Sequence, residues 1–359
     1  MERMEPFDAK QFFSFHADLS VFEPATGEEK RMQSRMREST SFFKDGMRKL
    51  RRDKVSVACL VVLALITFIA FSIPPVFPYD YFTTSASRNS NSTKFLSPFE
   101  YSPKEQALID AGEQVFPHIL GTDDLGRDYA ARVIYGTRIS LLVGFIAALI
   151  VVVIGVTFGA VSGYLGGKAD LVMMRIVDLI YSLPDMLIII LLSVSVKDIL
   201  NNGPLAGSGI AKLGPGLVSI FIVFGMLYWV GMARLVRGQV LSLKSQEFVL
   251  ASEAMGAGPA HIIRKHMIPN SISVIFISAA LQIPSAIFTE SFLSFLGLGV
   301  SIPMPSLGSL ASEARGYLIT QPYLLLIPVV SIFLIILSLN LLGTGLRDAF
   351  DPRLKEAGK

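Results

Sequence analysis

Gln282 and Glu290 stand inside a long apolar run, with Pro284 between them. An amide and a carboxylate are costly to leave unpaired in hydrocarbon, so both are expected to face a helix bundle or a polar route through it. A pathway role and a structural hydrogen-bonding role are both open. A second polar group is Asp170, Arg175 and Asp178. Arg175 and Asp178, three residues apart, can pair on one helix face or anchor at a membrane interface. Signatures of catalysis are missing. Gly166-Gly167-Lys168 lacks the leading glycine of a phosphate loop, and Ala169 replaces the magnesium-holding Ser or Thr. No Gly-x-Ser-x-Gly or His-Glu-x-x-His occurs. His261 and His266, five apart, share a helix face poorly. The lone Cys59 and four histidines leave no multi-cysteine zinc site and little for a His-rich one. The chain is therefore expected to be no enzyme and to hold no metal or cofactor.

The segment 242–270, SLKSQEFVLASEAMGAGPAHIIRKHMIPN, carries a different signal. Ser242 or Ser245 can cap a helix that runs to about Met255. Gly256 suits its C-terminal end, and Gly258-Pro259 suits a turn that opens a second helix over about Pro259–Met267. Pro269 is expected to stop that helix. Phe248, Leu250, Ala254 and Met255 then form a compact apolar face. Such a face docks a soluble partner or packs on the chain's own helix ends.

The elements that must position these groups are membrane helices. Hydrophobic residues make up 52% of the 359 residues, charged residues 17%, and the mean hydropathy is +0.54. A soluble chain carries about 25% charged residues. The net charge of +3 is too small to point to nucleic acid. Six apolar runs are candidate spans: Val55–Ile73, Ile139–Val161, Leu171–Val194 interrupted by Pro184, Leu217–Leu235, Ser271–Phe292 interrupted by Pro284, and Tyr323–Leu342. Lys44, Arg48, Lys49, Arg51, Arg52 and Lys54 precede the first run, so the N-terminus is expected in the cytoplasm, and six spans return the C-terminus there. The expected organisation is a cytoplasmic tail (1–54), a first span (55–73), an extracytoplasmic segment (74–138), a five-helix core (139–345) with a cytoplasmic loop (236–270), and a C-terminal tail (346–359). Residues 83–94 read as a Ser/Thr/Asn-rich linker with a sequon at Asn91. Gly155, Gly159 and Gly163 recur every four residues and allow another backbone to approach closely, in a partner subunit or within this chain.

Segment 242–270 resembles the cytoplasmic loop signature of permease subunits in ATP-binding-cassette importers. Leu250-Ala251-Ser252 stands where that family has Glu-Ala-Ala, while Gly256 and Pro269 match its glycine and proline at the right spacing. Leu120-Gly121-Thr122-Asp123, Leu125-Gly126-Arg127-Asp128 and Ile134 to Leu141 look like the run before the second span of dipeptide and oligopeptide permeases. Leu296 to Val300 with Pro303, Pro305 and Leu307-Gly308, and the terminal Asp351-Pro352-Arg353-Leu354, resemble the same subfamily. The long N-terminal tail is most like the oligopeptide permease "C" subunit.

The resemblance implies a type I importer permease fold, all-α, with six transmembrane helices and a cytoplasmic coupling helix. It implies a multi-pass protein of the prokaryotic cell (inner) membrane. The partners it implies are a homologous second permease, two nucleotide-binding ATPase subunits, an extracytoplasmic peptide-binding protein and a peptide substrate. Coupling to the ATPase would fall to Phe248, Leu250, Ala251, Met255, Gly256 and Pro269. Import of nickel or another small solute, and a stand-alone secondary transporter, are the alternatives.

Overall fold

The computed structural model describes residues 42–82, 93–203, 214–300 and 304–350. The tail before residue 42, the linker at 83–92 with most of its sequon, and the Asp351–Leu354 motif lie outside them. The chain forms two units, Met1–Asp45 and Gly46–Lys359. The second is an all-α bundle, and no strand occurs among the described residues.

The helices in chain order are α1 (Phe42–Arg52), α2 (Lys54–Ser72), α3 (Pro103–Asp110), α4 (Tyr129–Leu165), α5 (Gly167–Tyr181), α6 (Asp185–Asn202), α7 (Pro215–Val223), α8 (Trp229–Lys244), α9 (Glu247–Ala254), α10 (Pro259–Ile262), α11 (Ile268–Phe295), α12 (Leu307–Ala314) and α13 (Pro322–Phe350). A five-residue π turn, Phe224–Tyr228, joins α7 to α8, and another, Ile263–Met267, joins α10 to α11. Among the described residues, five continuous helical stretches are long and apolar enough to cross a membrane: α2, α4, α7–α8, α10–α11 and α13. The expected third span is instead two helices, α5 and α6, which meet at 89°; counted as one broken span they raise the number to six. The break has a local cause. Proline disfavours helical backbone in the residue before it and supplies no N–H, so α5 ends at Ser182 and Pro184 starts α6. Pro284, by contrast, does not interrupt α11, which runs through it.

Most helices extend beyond the apolar runs. α4 has 37 residues, about 55 Å at 1.5 Å per residue, against a hydrocarbon core of about 30 Å. Its extra turns begin at Asp128, whose carboxylate caps the helix by accepting from Ala131 N at 2.7 Å. Around this cap a polar clasp assembles. His118 Nδ1 lies 2.7 Å from the other Asp128 oxygen, and His118 Nε2 lies 3.1 Å from Glu105 on α3. Tyr79 stacks on the imidazole with ring centroids 4.5 Å apart. Beside it, Arg132 bridges Asp123 at 2.7 Å and Glu313 of α12 at 2.6 Å, tying α12 to the start of α4.

The glycine stripe of α4 packs inside this chain, against α8. A Cβ at Gly155 would fall 2.5 Å from Met232 Cβ, and one at Gly163 2.9 Å from the Arg237 carbonyl oxygen. One at Gly159 would strike the Ala233 carbonyl. Val143, Ala147 and Val151 of α4, Ala233, Val236 and Val240 of α8, and Ile275 and Leu293 of α11 belong to the same buried core. At the far end of α13, Leu50 of α1 packs on Ala349 and Phe350.

Two outcomes follow from this packing. Gly159→Ala should force α8 away from α4 and lower the thermal midpoint in detergent, at the about 1–3 kcal/mol typical of overpacking. Gly238→Ala, in α8 with nothing within 4 Å of its added Cβ, should leave the midpoint level or raise it slightly. The clasp should be pH-dependent. Burial opposes a charged His118, but the hydrogen bonds and charges of Asp128 and Glu105 outweigh it and raise its pKa above the ordinary 6.5. A raised histidine contributes fully below the unfolded value and loses its contribution as pH climbs through the folded one. The midpoint of the wild-type chain should therefore fall from pH 6 to pH 8 by more than that of His118→Gln.

Candidate functional site

The residues singled out from the sequence gather in two places: the α8–α9–α10 corner and the second half of α11. The corner is built by backbone chemistry. Neither Ser242 nor Ser245 caps α9; its N-cap is Gln246, without a side-chain bond, and Ser245 ends α8. The C-terminal end is closed by a Schellman turn. Gly256 takes φ +83°, its N–H bonds the Glu253 carbonyl at 2.9 Å, and the Ala257 N–H bonds Ser252 O at 3.1 Å. Left-handed backbone at this position is what the glycine supplies.

The chain beyond the turn differs from the expectation of two short helices stopped by Pro269. α10, the π turn and α11 form one continuous helical stretch, Pro259–Phe295. The Ile268 N–H bonds Ile263 O, five residues back. That register change lies next to Pro269, which donates nothing, and the helix passes the proline unbroken.

α9 carries apolar residues on both its buried and its exposed sides. Val249 and Ser252 are buried, and Val249 joins the core with Ile262 and Met267. Phe248 is 40% exposed, Leu250 52% and Met255 82%, with Ala251 exposed beside them. Arg264 and Lys265 are exposed on the next stretch and have no carboxylate within salt-bridge distance among the described residues.

In α11, Pro284 is buried and Gln282 is half-buried, with no side-chain hydrogen bond among the described residues. Glu290 is fully buried. Its carboxylate accepts from Ser140 of α4 at 2.9 Å, from Ser294 at 2.7 Å and from Ser291 at 3.3 Å. Ser140 in turn accepts from Leu307 N at 3.3 Å, and Ser294 from Val300 N at 3.1 Å. This network holds α4, α11 and the start of α12 together. Tyr228, in the first π turn, bonds Thr289 at 2.9 Å and links α7–α8 to the same stretch.

The charges of α5 pair across helices and not along one. Asp178 takes a bond from Arg234 of α8 at 2.8 Å, not from Arg175. Asp170 takes two bonds from Arg237 at 2.6 Å each and one from Ser162 at 2.6 Å. The pairs Tyr164–Glu253 and Arg234–Asp178 were not legible in the sequence. Separations of 89 and 56 residues leave no periodic signal, and only tertiary packing, with α4 and α8 running parallel, brings the partners within bonding distance.

Residues 155–356 match the model of the family described as binding-protein-dependent transport system inner membrane component. Residues 41–108 match the N-terminal TM domain of oligopeptide transport permease C. The chain is 37% identical to the oligopeptide transport system permease protein OppC of Bacillus subtilis, over 94% of this chain and 98% of that one. It is 41% identical to the dipeptide transport system permease protein DppC of the same organism, over 89% and 88%. It is 34% identical to the glutathione transport system permease protein GsiD of Pectobacterium atrosepticum, over 87% and 92%.

The buried carboxylate yields a direct test of what holds this end together. Glu290→Leu strands the serine hydroxyls, at about 1–3 kcal/mol for each polar group left without a partner. It should cut the yield of monodisperse protein in detergent and lower its thermal midpoint. Glu290→Gln, which keeps an acceptor oxygen in place, should lose much less on both measures.

Proposed function

The chain belongs to the binding-protein-dependent transport system inner membrane components, and from that premise we propose that it forms half of the translocation route of an ATP-driven importer of oligopeptides or dipeptides. The names of its relatives support the substrate class, since oligopeptides, dipeptides and glutathione are all peptides. Its working partners would be a homologous second permease, two nucleotide-binding subunits that hydrolyse ATP, and an extracytoplasmic peptide-binding protein. The chain itself carries out no hydrolysis in this reading.

The observation that carries the coupling role is the two-sided character of α9. Val249 and Ser252 anchor it, while Phe248, Leu250, Ala251 and Met255 present an uncovered apolar surface at the end of the bundle. Such a surface fits a groove on a soluble partner. Gly256 sets the angle between α9 and α10, and Pro269 sits in the continuous stretch that leads from the corner into α11. A push on α9 would therefore reach α11 through stiff helix. Gln282, Pro284 and Glu290 are the candidates for shaping the route: Gln282 by facing it, Pro284 and Glu290 by fixing the helix that lines it. Positive charges at 48–54 and 237–265 favour a cytoplasmic α9 end, with both termini on that side of the prokaryotic cell membrane.

Gly256→Val tests the coupling. A β-branched residue at φ +83° costs about 1 kcal/mol or more and disturbs the turn. No neighbour lies within 4 Å of the added Cβ, so the bundle itself is spared. The variant should insert normally, copurify less of its ATPase subunits and hydrolyse more ATP for each peptide imported. Normal copurification with a wild-type ratio of peptide to ATP would remove the coupling role from this corner.

A further inference from the structure

α9 is joined by chain to α8 on one side and to α10–α11 on the other. A third connection is made by side chains alone. Glu253 of α9 accepts a hydrogen bond from the Tyr164 hydroxyl, at the last turn of α4, at 3.2 Å. Lys244, the last residue of α8, donates to the Tyr164 carbonyl at 2.6 Å and stands 5.3 Å from the centre of its ring. The turn that follows consists of Gly166 at φ +65° and Gly167 at φ +54°. α5 then leaves with Asp170 held by Arg237 and Ser162, and Asp178 held by Arg234. The Arg234 guanidinium also covers the Tyr181 ring at 4.3 Å.

The balance of contacts on α5 gives these bonds their weight. Only Asp170 and Val177 of its fifteen residues are buried. Val177 anchors it in the main core with Met174 and Ile180 beside it, and the pairs to α8 add polar ties. α6, beyond the 89° bend, follows α5 in the chain and packs on α7. α4, in contrast, is locked to α8 by its glycine face.

We propose that Tyr164 and Glu253 form a lateral output of α9: movement of α9 is passed through this bond to the α4–α5 turn, and the Asp170–Arg237 pair converts it into a change in the direction of α5. Tyr164, Glu253 and Asp170 are positioning residues in this account. It rests on the docking of α9 to an ATPase subunit, which the experiment checks separately.

The test uses the whole transporter in phosphatidylethanolamine–phosphatidylglycerol proteoliposomes, with labelled trialanine as the transported probe. Tyr164→Phe removes the donor and Glu253→Ala the acceptor of the bond, and each changes little else, since Glu253 is exposed and Tyr164 partly so. Each is made in a Cys59→Ala background that also carries Leu250→Cys for cross-linking to the ATPase. Both variants should assemble and cross-link as the parent does. Both should raise the ATP hydrolysed per peptide imported by at least about twofold, the low end of the effect of residues lying between coupled sites. The double variant should be no worse than either single one, because all three lose the same bond. A merely structural role would instead lower ATPase activity and uptake together and leave their ratio unchanged. Parental ratios in both single variants, with cross-linking retained, would overturn the lateral output alone. Absence of the cross-link in the parent would overturn the docking of α9, and this proposal with it.

Discussion

Between α4 and α8 two backbones run closer than any side chain beyond glycine permits at Gly155, Gly159 and Gly163. Helices in lipid gain little from burying apolar surface against one another, because the lipid is equally apolar. Association there depends on close van der Waals contact and on polar pairs. The α4–α8 seam uses both in sequence along its length. Glycine contact holds the middle, and past Gly163 the seam becomes polar, with Lys244 on the Tyr164 carbonyl and Arg237 on Asp170. Other elements are laid on α4 by the same means. Gly144 admits Ile287 of α11, and Gly136 admits Ser306 and Leu307 at the start of α12.

Buried polar side chains tie the elements of this bundle to one another. Glu290 joins α4, α11 and the start of α12 through serine hydroxyls, with no basic partner among the described residues. Arg132 joins α4 to α12 through Glu313, and Tyr228 joins the first π turn to α11. Each buried polar group is costly unless its partners arrive from the correct neighbours. These groups therefore favour one arrangement of helices over others that would bury the same apolar area.

The α9 corner combines a fixed angle with stiff arms. A Schellman turn sets the angle between α9 and α10, and the helix then continues without a loop into α11. The π turn at Ile263–Met267 absorbs a change of hydrogen-bond register that a loop would otherwise have taken up. The same continuous stretch carries Thr289 and Glu290, and Thr289 bonds Tyr228. Among the described residues, the one sharp break in a candidate span lies elsewhere, at Pro184 between α5 and α6.

Local residue pattern was enough to locate the apolar segments, the glycine face, the left-handed end at Gly256 and the apolar residues of α9. Each depends on hydropathy, on backbone permission or on a spacing of three or four residues, all of which are written along the chain. It was not enough to tell what Pro184, Pro269 and Pro284 would do. Pro184 breaks a span while α11 accommodates the other two, one of them beside a π turn, and that outcome depends on the surrounding helix and its hydrogen-bond register. The partners of Asp170, Asp178 and Glu290 were likewise decided by tertiary structure. An ion pair or a buried network joins residues 56, 67 or 150 positions apart, and only the packing of α4, α5, α8 and α11 brings those groups within bonding distance.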